Sequence, residues 1–225
     1  MNKKQSVLIT GTSSGVGYTL AKSFLEKDFL VYGIARRDVS FNNKNYVHLS
    51  IDLSKLDSIK CVTNLLNHKL DILIHNASQF YLGNLDTMDD KTIESILDVN
   101  LKGAIFLSKY TIPKMKKDSR IIFINSVAGK SELARQSIYC ASKHGVSAFA
   151  NILNEELKEK GIKISSIYPG GIDTPLWNTS NPYPGKNKER LLASSDISEL
   201  IHYIISQRQN IHYKSIILYP DNESH

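Results

Sequence analysis

Short apolar runs alternate along this chain with longer segments whose apolar residues recur at helical spacing. Val7-Leu8-Ile9 reads as a buried strand; after a Gly-rich turn, Val16, Leu20, Phe24 and Leu25 fall on one helix face. Further strands are predicted over 29–34, 46–51 and 71–74, and a long helical pattern over 89–112 stops near Pro113. Then come a strand at 121–124, a helix over 139–158 closed by Gly161, a strand at 162–167, a short helix at 197–205 and a last strand at 215–218. Strands alternating with helices predict an α/β fold with a mainly parallel, seven-stranded sheet covered on both faces. Right-handed crossovers make it a doubly wound, Rossmann-like sandwich. No linker or repeat divides the chain, so 1–225 is expected to be one domain. The stretch 174–190, rich in Asn, Pro and Gly, is expected to be a loop beside the substrate.

Composition changes this picture little. The 225 residues are 41% hydrophobic and 22% charged, ordinary values for a chain that buries a sizeable core. The net charge of +6 comes from short, interrupted groups such as Lys3-Lys4, Lys114/Lys116/Lys117 and Lys186/Lys188/Arg190, which read as solvated surface. Without a basic helix or an aromatic platform, nucleic acid is not an expected partner. Two cysteines, Cys61 and Cys140, make no disulfide framework, and no Cys/His spacing resembles a metal site. No apolar run reaches membrane-spanning length, and the N-terminal one is too short for a signal peptide, so a reducing cytoplasm is the expected compartment.

Candidate chemistry starts at the turn after the first strand, Thr10-Gly11-Thr12-Ser13-Ser14-Gly15-Val16-Gly17. Glycines there let a pyrophosphate approach the backbone, and the opening of a helix favours its charge. Ser13 and Ser14 add hydroxyl donors. The second strand exits into Arg36-Arg37 instead of the acidic residue that binds a ribose 2′-hydroxyl, so these guanidiniums point to the 2′-phosphate of NADP(H). Asp38 follows at once and keeps NAD(H) as the alternative. Downstream, Tyr139 and Lys143 stand four residues apart on one helix face. A phenol with a pKa near ~10 is a poor base at neutral pH, and a nearby ammonium is expected to favour its phenolate. Tyr139 would then exchange a proton with an alcohol or carbonyl, while the Ser126 hydroxyl holds the substrate oxygen.

The spacing Gly-x-x-x-Gly-x-Gly, with Ser126, Tyr139 and Lys143 in that order, resembles the short-chain dehydrogenases/reductases. The likeness is to their compact single-domain branch, such as the 3-oxoacyl-acyl-carrier-protein reductases and carbonyl reductases. It spans residues 6–219. The resemblance implies that Lys143 also holds the nicotinamide ribose, that Asp52 and the Leu53 amide meet the adenine, and that Asn76-Ala77 lines its ribose. It implies that Asn100 supports a water chain from Lys143, and that Pro169, Gly170, Ile172 and Thr174 flank the nicotinamide. His75 and Ser78 depart from the family's Asn-Asn-Ala-Gly segment; His75, ending a buried strand, reads as a hydrogen-bonded structural residue. Tyr81, Leu133, Trp177 and 178–189 are candidates to line or cover the site of a small-molecule carbonyl or alcohol. The resemblance also implies a homodimer or homotetramer assembled through 89–112 and 136–160. A non-catalytic NADP(H)-binding sensor on the same fold is the rival reading, and it predicts loss of Tyr, Lys or Ser, all of which are present.

Overall fold

The computed structural model describes residues 4–177, 182 and 191–221. Strands β1 (Ser6–Thr10), β2 (Leu30–Ala35) and β3 (Tyr46–Ser50) form one half of a sheet, with α1 (Gly15–Glu26) crossing between the first two. Two short helices, α2 (Leu56–Lys60) and α3 (Val62–Leu65), lead into β4 (Leu70–His75). Next come α4 (Asp90–Leu97), a π-helical turn over Asp98–Lys102, α5 (Gly103–Thr111) and β5 (Met115–Ile124). The chain ends with α6 (Ser137–Glu156), β6 (Lys163–Pro169), α7 (Ser194–Ser206) and β7 (Ser215–Leu218). All strand pairs are parallel, and the order is β3-β2-β1-β4-β5-β6-β7. This is the seven-stranded, Rossmann-like sheet that the alternation predicted.

The strands are apolar almost without a break because both faces are covered. Along β5, Ile121 and Phe123 join the core that includes Leu107 of α5 and Val146 and Ala150 of α6. Ile122 and Ile124 face the opposite core, with Leu20 and Phe24 of α1 and Ile197, Ile201 and Ile204 of α7. The sheet order reverses direction between β1 and β4, and their carboxyl ends open the crevice where doubly wound sheets bind ligands.

Four elements differ from expectation. The helix expected over 89–112 is interrupted by the π turn at Asp98–Lys102, where Asn100 spends its side chain on other segments. Strand β5 begins at Met115, six residues earlier than its apolar run, through polar residues that include Asp118 in the left-handed region (φ 63°). There the register with β4 shifts between Leu70 and Ile72. Helices α2 and α3, of five and four residues, are too short to show a period. Of the loop expected over 174–190, only 174–177 and 182 lie within the described residues. No described helix is long and apolar enough to cross a membrane.

Candidate active site

A cleft of about 820 Å³ runs across the carboxyl ends of the strands from the β1–α1 turn to Tyr139. At its floor, Gly11 takes φ +78° and donates its amide to the Ile34 carbonyl at 2.8 Å, tying the turn to the end of β2. Gly17 packs against the same turn: a Cβ there would stand 2.2 Å from the Gly11 carbonyl oxygen. It therefore shapes the turn from beneath, while Gly11, Ser13, Ser14, Gly15 and Val16 line the cleft. Ser14 caps α1 without a side-chain capping bond, so the first helical amides face the cleft with the positive end of the helix dipole. This bare cradle fits a pyrophosphate.

Asn76 fastens β4 to β1. Its Nδ2 donates to the Thr10 carbonyl at 2.8 Å, and the amides of Asn76 and Ala77 both donate to Thr10 Oγ1 at 2.9 Å. Both residues line the cleft beside Gly11. Arg36 and Arg37 line it at the end of β2, with Arg37 Nη2 donating to Ser13 Oγ at 3.2 Å. Asp38 turns away: its carboxylate is 98% exposed and stands 3.6 Å from His48 Nε2. Asp52 and Leu53 line the same end. Burial opposes the charge of Asp52, but two hydrogen bonds from Ser54 with the Arg36 and Lys55 charges outweigh it, holding the carboxyl below the usual range.

At the other end stand Ser126, Tyr139 and Lys143. Ser126, two residues beyond β5, caps the short turn that follows and accepts a hydrogen bond from the Ala128 amide at 3.1 Å, leaving its own proton to donate. Burial pushes the Tyr139 hydroxyl up to about 12, against the lowering effect of hydrogen bonds with Ser126 and Ser78. Burial likewise brings the Lys143 ammonium down to about 8. Lys143 Nζ lies 5.5 Å from the Tyr139 ring centroid and 3.5 Å from the Ile124 carbonyl. In the free protein burial thus opposes the charged form of both groups.

Asn100 lies outside the main cleft, on a small cavity behind it that Lys143, His75 and Thr10 also line. Its Oδ1 accepts from the Gln79 amide at 2.7 Å and Ser78 Oγ at 3.3 Å; its Nδ2 donates to the Gln79 carbonyl at 2.9 Å and Ser142 Oγ at 3.1 Å. Ser142 Oγ in turn donates to the Tyr139 carbonyl at 2.7 Å. The amide is spent on holding the 78–79 segment and the first turn of α6 in place. His75 is buried, hydrogen-bonded to Ser108 Oγ at 2.9 Å and stacked on Phe123, in the structural role that its position predicted.

Pro169, Gly170, Ile172 and Thr174 line the cleft at the end of β6. The Ile172 carbonyl accepts the Trp177 indole N–H at 2.8 Å. Trp177 and Leu133 face the cleft, whereas Tyr81 does not: its ring lies over Gly83, and the expectation that it lines the site is withdrawn. Ser78 lines the cleft too, as do Gln79, Phe80 and Gln136, which no motif singled out. The signal for Phe80 was an apolar residue four beyond Asn76, in a loop whose path no periodicity fixes.

The sequence profile of the short chain dehydrogenase family matches residues 5–184. A farnesol dehydrogenase from Aedes aegypti is 30% identical over 237 residues, covering 96% of each protein. A 4-hydroxyisoleucine dehydrogenase mutant solved with NADH and succinate superposes with a TM-score of 0.86 at 25% identity, over 96% of this chain and 97% of that one. A short chain dehydrogenase from Burkholderia cenocepacia J2315, solved with NADP, superposes with a TM-score of 0.83 at 20% identity over 96% of both chains, a likeness of fold. A profile match over most of the chain, joined to a glycine cradle and a Tyr–Lys pair in one cleft, decides the matter: this chain belongs to the short-chain dehydrogenase/reductase family.

Proposed function

We propose that this protein transfers a hydride between NADP(H) and a carbonyl or alcohol, with Tyr139 as proton donor and acceptor. The observation that carries the reading is that the glycine cradle, Arg36-Arg37 and the Ser126–Tyr139–Lys143 group share one cleft. When bound, the nicotinamide would supply or accept the hydride. Ser126, whose oxygen already accepts the Ala128 amide, donates its proton to the substrate oxygen and stabilises the charge developing there. Tyr139, neutral in its dry surroundings, delivers its hydroxyl proton to that oxygen as the carbon is reduced, and takes a proton back in the reverse direction. The Lys143 ammonium stabilises the phenolate left behind and, with the cofactor bound, would hold the nicotinamide ribose. Asn100 and Ser142 act as positioning residues for Tyr139 and the 78–79 segment.

NADP(H) is favoured over NAD(H) by Arg37, poised on Ser13, and by Arg36 beside it. NAD(H) needs an acidic group at the ribose, and Asp38 is turned outward toward His48. The test is fluorescence titration with NADPH and NADH, followed by NADPH oxidation over a carbonyl panel. Tyr139→Phe is expected to bind NADPH normally and lose at least about 100-fold in kcat. Full turnover in Tyr139→Phe would refute the mechanism.

A further inference from the structure

Beyond the Tyr139 hydroxyl, the cleft wall is carbon. Phe80 meets Tyr139 edge-on at 4.9 Å and Trp177 edge-on at 5.0 Å, and Leu133 and Leu176 pack on the same cluster. The Trp177 indole N–H is donated to the Ile172 carbonyl. Among the described residues, the charged side chains that line the cleft are Arg36, Arg37 and Asp52 at the adenosine end and Lys143 beneath the tyrosine. Around Phe80, Leu133, Leu176 and Trp177 the described part of the chamber is apolar, and burying an unpaired charge against such a surface is unfavourable.

Besides Ser78, whose hydrogen bond already engages the Tyr139 hydroxyl, Gln136 brings a polar side chain to the cleft. Gln136 sits immediately before α6, three residues from Tyr139, and lines the cleft. It is only 7% exposed, makes no capping bond to the helix that it opens, and its amide has no hydrogen-bond partner among the described residues. A ligand that displaces water from this amide must replace the lost hydrogen bonds, so a ligand group that pairs with it is favoured over one that leaves it unpaired. Sites built this way reject analogues that lack the matching group more strongly than apolar pockets reject a missing methylene.

We propose that the substrate is an apolar carbonyl compound bearing one neutral hydrogen-bonding group close to the reacting carbon, and that Gln136 binds that group. The proposal rests on Tyr139 being the proton donor of an NADP(H)-dependent reduction. Phenoxyacetone and benzylacetone differ only by an ether oxygen in place of a methylene beside the ketone, and levulinate carries a carboxylate instead of the ring. With the whole protein and NADPH, both aromatic ketones are expected to exceed levulinate by at least about tenfold in kcat/KM. Gln136→Leu is expected to lower the phenoxyacetone-to-benzylacetone ratio of kcat/KM about tenfold, and Gln136→Met, nearer in shape, to do the same. Taking the ratio cancels the intrinsic reactivity of the two ketones, and NADPH binding reports the folding of each variant. An unchanged ratio in both variants overturns the role of Gln136. Levulinate turned over as well as the ketones, or NADPH bound with none of the three reduced, overturns the substrate class. Failure of the wild-type protein to bind NADPH is a different outcome and overturns the parent reading.

Discussion

His75 shows how burial sets the chemistry of a single residue. It ends β4 with its ring against Phe123 and its Nε2 on Ser108, and burial lowers its pKa from 6.5 to about 3. Between those values the unfolded chain binds a proton that the folded one refuses. The stabilisation is thus complete above about pH 6.5 and is lost as pH falls toward 3. Relative to His75→Asn, the wild type is expected to lose about 2 kcal/mol of unfolding free energy on going from about pH 7 to about pH 5, as read by urea titration. His202, also lowered by burial to about 4, contributes equally to both proteins and cancels from the difference. A gap independent of pH would mean that His75 protonates freely in the folded state. At this scale, residue type and position in sequence indicated a structural histidine correctly. They could not show the burial that opposes both charges of the Tyr139–Lys143 pair, because it depends on Phe80 and on residues far along the chain.

At the scale of elements, two short segments aim the site: the β1–α1 turn and the π turn. Gly17 is the third residue of α1, and an added Cβ would fall 2.2 Å from Gly11 O and 2.5 Å from Asn76 Nδ2, so neither the backbone nor the β4 fastening has room to yield. Gly17→Ala is expected to destabilise the fold by about 1–3 kcal/mol and to weaken NADPH binding about tenfold or more by spreading the phosphate cradle. Gly145→Ala is the contrasting case. Its Cβ would meet only the flexible end of Leu101, at 3.0 Å, and alanine suits the interior of α6. NADPH titration and thermal melts of the two variants separate cradle geometry from a general intolerance of alanine; equal behaviour would refute the cradle. The cradle was legible because three glycines after an apolar run have few other uses. The π turn was not, since the apolar residues on either side of Asn100 keep an unbroken helical period while its side chain bonds to Gln79 and Ser142, at separations that no local pattern encodes.

Across the whole molecule, the cleft draws on the ends of six of the seven strands, from Arg36 after β2 and Asp52 after β3 to Pro169 at the end of β6. This breadth follows from the parallel sheet, which the alternation of strands and helices predicted; residues more than a hundred positions apart meet because every strand points the same way. A dinucleotide lying across the sheet ties its two halves together and stabilises only the folded state. At about 100-fold excess over Kd, that linkage is worth about 2.7 kcal/mol. For a chain of this size it corresponds to a rise in Tm of about 5–10 °C. Under the proposed NADP(H) reading, Arg36 and Arg37 would direct this gain toward the 2′-phosphate, and NADPH is expected to raise Tm by several degrees more than NADH at equal concentration. In the double variant Arg36→Ala/Arg37→Ala the two shifts are expected to become equal, because the adenine, ribose and pyrophosphate contacts remain while the phosphate-specific ones are gone. Equal shifts already in the wild-type protein would place the preference elsewhere and return Asp38 to consideration as the group that meets an unphosphorylated ribose.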